Sequence, residues 1–284
     1  MRRTIPIIFA LFAIFFASCT NLFAPRENVV LRFSPYTTEP FTRAQQPAAE
    51  VFSKLNIMLF DSAGEKVFDK VRTQTAEESG FGTLALTLAE GTYTVVAVGH
   101  SSKISATIKS PESVQFTASD GEKLTDTFNY CGQISVTSQR KEYALQMSRV
   151  VAMFRLRLTD KTPATVAKMK FDYSGGSANY NPSTGQGNTK SSQSETRAAN
   201  DSGVYEIYTF PYLSETGVLS IAVSALDASG SILLKRTFSN VPVRVNTITS
   251  YEGAFFGDMP GGTTDSPITF TADPEWASTN TYTF

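Results

Sequence analysis

Thr83-Leu84-Ala85-Leu86-Thr87-Leu88-Ala89-Glu90-Gly91-Thr92-Tyr93-Thr94-Val95-Val96-Ala97-Val98 is the stretch from which the fold class can be read. Leu84, Leu86 and Leu88 alternate with Thr83, Ala85 and Thr87, the period of two that places successive side chains on opposite faces of a pleated strand. Glu90-Gly91 supplies a turn, after which Tyr93, Val95 and Ala97 share one face and Val96 and Val98 the other. The stretch reads as a β-hairpin, and its second strand, apolar on both faces, suits the centre of a sandwich.

The same grammar extends in both directions. Leu55, Ile57 and Leu59 alternate with Asn56, Met58 and Phe60, and Asp61-Ser62-Ala63-Gly64 turns the chain toward Val67-Phe68, a second hairpin. Upstream, residues 21–47 are punctuated by proline and broken by one strand-like run, Val29-Val30-Leu31-Arg32-Phe33. Downstream, Ser, Thr, Lys and Asp dominate between Gly99 and Gly132, which predicts loops and short edge strands. Residues 148–159 are the strongest single strand, with Ala152, Phe154, Leu156 and Leu158 on one face and Met153, Arg155 and Arg157 on the other. Strands follow at 167–173 and 204–213, separated by a Gly-, Ser-, Asn- and Gln-rich stretch, 174–203, whose composition predicts a flexible, exposed loop. Residues 218–226 and 232–238 form another hairpin around Ala228-Ser229-Gly230, and 241–256 close the body. No helical periodicity of useful length appears. Short strands with a turn every ten residues or so predict an all-β fold, and the length calls for two sandwiches.

The N-terminus carries a different signal. Arg2 and Arg3 precede an apolar run, residues 5–17, then Ser18 and Cys19, the order of a secretory leader. The run is shorter than the about 20 residues that span a bilayer, so it reads as a cleaved segment. Cys19 after Phe16-Ala17-Ser18 resembles the bacterial lipobox, whose cysteine is acylated and becomes the mature N-terminus; Phe16 departs from the usual leucine. Loss of the leader takes the formal charge from −1 to −3, with 23 basic against 26 acidic side chains, and leaves no concentrated basic face for nucleic acid. With Cys19 acylated, Cys131 has no partner, and stability must come from burial rather than a disulfide. The expected organisation is a leader at 1–18, a tether and first strand at 19–50, and β-sandwich domains at 51–147 and 148–284.

Several segments together resemble the fimbrillin superfamily of type V pili, in particular the FimB-like and Mfa-like anchoring or minor subunits of Bacteroidales. They are the lipobox at Cys19, Lys54-Leu55-Asn56-Ile57-Met58-Leu59-Phe60-Asp61, Leu88-Ala89-Glu90-Gly91-Thr92-Tyr93-Thr94-Val95-Val96-Ala97, Ser148-Arg149-Val150-Val151-Ala152-Met153-Phe154, and Val241-Pro242-Val243-Arg244-Val245-Asn246 leading to Tyr251-Glu252-Gly253-Ala254-Phe255-Phe256. The resemblance implies two tandem transthyretin-like β-sandwich domains, a place in a surface fimbria, and assembly with other fimbrial subunits by strand exchange. It also implies tethering to the outer membrane through lipid on Cys19, and Arg43-Ala44 as the position where an arginine-specific protease would release the first strand of a pilus-body subunit. An ordinary basic residue in a linker is the preferred explanation of Arg43. The tail from Ile268 to Phe284 could donate a strand to a neighbour or fold back on its own domain. A host or bacterial surface ligand is a further partner that such a subunit would meet.

Catalytic and metal chemistry find little support. The single histidine, His100, follows a strand-ending glycine in a Ser-rich stretch and reads as a solvated turn residue; no nucleophile motif accompanies it. No His, Cys or carboxylate cluster has ligand spacing, and no cofactor is expected. Cys131 reads as a buried small hydrophobe. Asp61-Ser62-Ala63 resembles the short O-glycosylation tripeptide of exported proteins in this bacterial group, which would put a glycan on Ser62, although turn chemistry alone explains the residues. The rival reading is a glycan-binding outer-membrane lipoprotein, stacking sugars on Trp276 or on an exposed patch of Tyr173, Tyr180, Tyr205 and Tyr208.

Overall fold

A computed structural model describes residues 25–35, 47–117, 123–212, 217–257 and 278–283. The first part of the chain forms β1 (Arg26–Pro35), the single-turn α1 (Ala48–Val51), β2 (Lys54–Phe60), β3 (Arg72–Thr75), β4 (Thr83–Ala89), β5 (Gly91–His100), β6 (Ala106–Ser110), β7 (Ser113–Phe116), β8 (Thr127–Val136) and β9 (Glu142–Arg149). The second forms β10 (Ala152–Leu158), β11 (Lys168–Ser177), β12 (Asn179–Asn181), β13 (Gln186–Gly187), β14 (Ser191–Ala198), β15 (Val204–Pro211), β16 (Gly217–Leu226), β17 (Ile232–Val243), β18 (Thr247–Gly253) and β19 (Ser278–Thr283).

These strands build two β-sandwiches of the same plan. In the first, β3-β2-β5-β8 faces β9-β1-β4, and the layers join where β8 and β9 pair only at Phe128↔Arg149 and Asn129↔Ser148. In the second, β14-β11-β16-β17 faces β15-β10-β18-β19, joined where β11 meets β15 at Gly176↔Pro211 and Ser177↔Phe210. Each sandwich therefore sets its first strand, β1 or β10, between one antiparallel and one parallel neighbour.

Three buried clusters follow. Val29, Leu31, Ile57, Val95, Phe128 and Leu145 belong to the core between the first pair of layers. Phe154, Phe171, Ile207, Ile221 and Phe255 belong to the second. The third lies at the junction, where Val96 and Val98 on the back of β5 pack with Ile108, Val114, Val151, Tyr180 and Phe210. The two-faced apolarity of β5 thus reflects two cores. At the junction the β6-β7 hairpin of the first sandwich and the β12-β13 hairpin of the second share one small sheet, with Asn179↔Gln115 and Tyr180↔Val114 in register. Tyr180 is fully buried, stacks on Phe210 at 4.4 Å and donates its hydroxyl to Asn129 Oδ1 at 3.1 Å.

Two expectations are corrected. The 83–98 stretch holds two strands but no hairpin: β4 pairs with β1, β5 pairs with β2 and β8, and Glu90-Gly91 carries the chain from one layer to the other. Period two reports strands, whereas pairing depends on distant partners. Residues 174–203 are not a flexible loop but β12, β13, β14 and close-packed turns. Its glycines allow tight approach: a Cβ on Gly175 would sit 2.2 Å from Val218 O, and one on Gly176 2.0 Å from Thr209 Oγ1. Its serines and asparagines satisfy local backbone, as where Asn181 Oδ1 accepts from Ser183 N at 2.9 Å. The 218–238 hairpin stands as β16-β17.

Candidate functional site

The feature that separates the first sandwich from a plain β-domain is the seat of β1. Val29, Leu31 and Phe33 point into the core, while Arg26, Arg32 and their neighbours point out, the alternation read from the run Val29–Phe33. Burying three such side chains is worth about 5–9 kcal/mol. Along one side β1 runs parallel to β9, from Val30↔Glu142 to Pro35↔Met147, with Val30 N donating to Lys141 O at 2.8 Å. Along the other it is antiparallel to β4, with Phe33 N donating to Gly82 O at 2.8 Å. Gly82 holds φ at +80°, and a Cβ there would meet Phe33 O and Ala48 Cβ at 3.2 Å, so the residue that ends the slot must be small. Arg32–Glu142 and Lys141–Glu27 ion pairs link the strand to β9 at the surface and add little. Beneath the slot, Phe52 closes the core against Phe81 and Phe128; a Cβ on Gly99 would lie 2.5 Å from its ring.

β1 fills the position that β10 fills in the second sandwich. β10 follows β9 directly through Val150-Val151, whereas β1 reaches the body only through residues 36–47. Arg43 falls in that connection and, like Cys19 and Trp276, lies outside the described residues. At the other end of the chain, β19 runs parallel to β18 as the outermost strand of its own second sandwich, and Tyr282 stacks on Tyr251 at 5.0 Å.

The remaining candidates are dispersed. Ser62 is exposed in a turn that Asp61 closes, its Oδ1 accepting from Ala63 N and Glu65 N at 2.9 Å. His100 is not a solvated turn residue: β5 extends past Gly99, and the imidazole is buried in register with Lys54 and Thr127. Its Nε2 lies 2.9 Å from Asn56 Oδ1, its ring meets Phe116 edge-on, and Nδ1 has no hydrogen-bond partner among the described residues. Burial, reinforced by Lys54, pulls its pKa down to about 4. Cys131 is half-buried rather than fully buried, its Sγ 3.7 Å from Pro111 O, and burial raises its thiol pKa. Among the described residues, no three His, Cys, Asp or Glu side chains converge as metal ligands would.

The tyrosines named for sugar stacking are mostly core residues: Tyr173, Tyr180 and Tyr205 are buried, and Tyr208 is half-buried. Tyr205 and Tyr208 border a cleft of about 740 Å³ between the sandwiches, with Lys123, Asp126, Arg197 and Glu206. Asp126, Glu206 and Arg197 are engaged by Arg149, Arg155 and Glu195 respectively. The cleft had no signature in the sequence, since it joins residues more than seventy positions apart.

Fold and slot define a structural β-protein made of two repeated sandwiches with a separately attached first strand. A family model described as fimbrillin-A associated anchor proteins Mfa1 and Mfa2 matches residues 18–276, and the chain belongs to that family. It is a fimbrial subunit. Comparison with curated protein sequences finds no match. Among solved structures, a candidate adhesin from Bacteroides ovatus ATCC 8483 superposes with a TM-score of 0.51 at 13% identity, covering 76% of this chain and 83% of that one. A candidate adhesin from Bacteroides thetaiotaomicron VPI-5482 gives 0.50 at 16% identity, covering 75% and 80%. A candidate polysaccharide-binding protein from the same strain gives 0.51 at 12% identity, covering 74% and 79%. These likenesses are of fold.

Proposed function

We propose that the chain is the lipid-tethered anchor, or a minor subunit, of a cell-surface fimbria, held at the outer membrane by acylated Cys19 and joined to other subunits by strand exchange. The observation that carries the reading is the seat of β1: a central strand, with three side chains in the core, attached to the body only through residues 36–47. A strand so placed is a removable component by topology and a retained one by energy. While it stays, β4 and β9 are both paired along the sides that face it, and the first sandwich offers no vacant central groove. A subunit in that state ends a strand-exchange polymer instead of extending it, and needs no catalysis to do so. Cleavage at Arg43 would free β1 and convert the chain into an extending subunit, so in an anchor Arg43 stays intact. β19, the outermost strand of its layer, is the segment available for donation.

Intact mass and N-terminal sequencing of the protein from its native cells test this. The expected mature form begins at acylated Cys19 and includes residues 26–35; a start at Ala44 would overturn the anchor role in favour of a pilus-body subunit.

A further inference from the structure

The edges of the two sandwiches are guarded unequally. β3 is only four residues long, β17 carries Pro242 and two register shifts, and β14 turns Glu195 and Arg197 inward. Short edges, prolines, bulges and inward charges all discourage pairing with another chain. β4 has none of them: Thr83-Leu84-Ala85-Leu86-Thr87-Leu88-Ala89 is uncharged, lacks proline, and keeps an unbroken register with β1. β19 is equally unguarded but polar in sequence, whereas β4 sets Leu84 and Leu86, both half-buried, at the rim of the first core.

The hydrogen-bond pattern shows how much of the β4 edge is open. Phe33 N donates to Gly82 O, so from Leu84 on the even-numbered Leu84, Leu86 and Leu88 turn their backbone groups toward β1, and Thr83, Ala85, Thr87 and Ala89 turn theirs outward. Two outward carbonyls are already capped, Thr83 O by Gln74 Nε2 at 2.8 Å and Ala89 O by the Tyr93 hydroxyl at 3.0 Å. Thr83 N donates to Gly80 O. The N–H and C=O of Ala85 and Thr87 remain, together with the N–H of Ala89, and no strand among the described residues pairs with them.

The geometry points to a second copy of this chain as the occupant, its β4 antiparallel to the first about a two-fold axis through Leu86. In that register Ala85 of each copy exchanges both hydrogen bonds with Thr87 of the other, which uses all four backbone groups of these two residues on each strand. Leu86 faces Leu86, Leu84 faces Leu88, and the leucine rims close on one another without bringing any charge from β4 into the contact. An isologous pairing of this kind closes on itself as a dimer and cannot propagate. The inference is independent of the anchoring role.

Sedimentation equilibrium of the purified full-length protein across about 1 μM to about 1 mM tests it. A monomer–dimer equilibrium is expected, and Ala85→Pro, which removes one outward N–H per copy and none used within the fold, should weaken it about thirtyfold. With Cys19 and Cys131 both replaced by Ser, Leu86→Cys should form a disulfide-linked dimer under mild oxidation, because directly opposed non-hydrogen-bonded residues bring Cα atoms to about 4.5 Å. Leu84→Cys should not. The proposal is overturned by a monomer at every concentration, by an Ala85→Pro dimer as tight as the parent, or by equal cross-linking at positions 84 and 86. A protein that stays monomeric alone but binds another fimbrial subunit through this edge would also overturn the second-copy assignment.

Discussion

His100 ends β5 with its ring edge-on to Phe116 and Nε2 against Asn56 Oδ1, in a site that leaves Nδ1 without a hydrogen-bond partner among the described residues. A proton on that ring is disfavoured in the fold, where the pKa lies near 4, but not in the unfolded chain, where it is about 6.5. The neutral form's advantage is complete above pH 6.5 and is lost as the pH falls toward 4, a change of up to about 3 kcal/mol. Urea titrations at pH 7.5 and 4.5 should show that loss, and His100→Gln should remove most of it. An unchanged slope in the variant would assign the acid sensitivity elsewhere. The environment of His100 was illegible in the sequence, because Ser101-Ser102 after a glycine reads as a turn. Ser101 and Ser102 instead satisfy buried or paired backbone, Ser102 donating to Lys123 O and Ser101 Oγ accepting from Ser53 N. Ser62 shows the reverse case, where Asp61 and Gly64 announce their turn locally and the structure contains it.

Among the elements, β1 decides most. Leu31 is fully buried between β4 and β9, and Leu31→Ala should cost about 2.7–5 kcal/mol by loss of burial and creation of a cavity. Chemical denaturation measures this directly. A cost below about 1 kcal/mol, the range of a surface substitution, would mean that the strand is only loosely seated. Strands were legible wherever apolar residues alternated at period two or ran continuously: 29–33, 55–60, 152–158 and the 218–238 hairpin all fall on observed elements. Pairing was not. β4 and β5 are adjacent in sequence, yet β1, more than fifty residues upstream, takes the edge of β4 that a hairpin would have used. Residues 174–203 misled for a related reason, since Gly, Ser and Asn serve flexible chains and close-packed turns alike, and only neighbours such as Thr209 and Val218 distinguish them.

At the scale of the whole molecule, the two sandwiches share a core. The β7-β12 pairing, the stack of Tyr180 on Phe210, and the Arg149 guanidinium bound to Asp126 and Asn246 bind the first sandwich to the second. Calorimetry should therefore show one unfolding transition, and Tyr180→Ala, costing about 3–5 kcal/mol at the junction, should split it into two. Two transitions in the parent protein would contradict the coupling. If the N-terminus is tethered as proposed, tension entering there would cross to the second sandwich through packed side chains as well as through Val150-Val151. The anchoring role rests on the proposed lipid at Cys19. Replacing Cys19 by Ala in the native organism, then comparing fimbriae on cells with fimbriae in the medium, tests it most directly. Release of fimbriae into the medium is the predicted result; fimbriae that remain attached and unchanged would contradict an anchoring role.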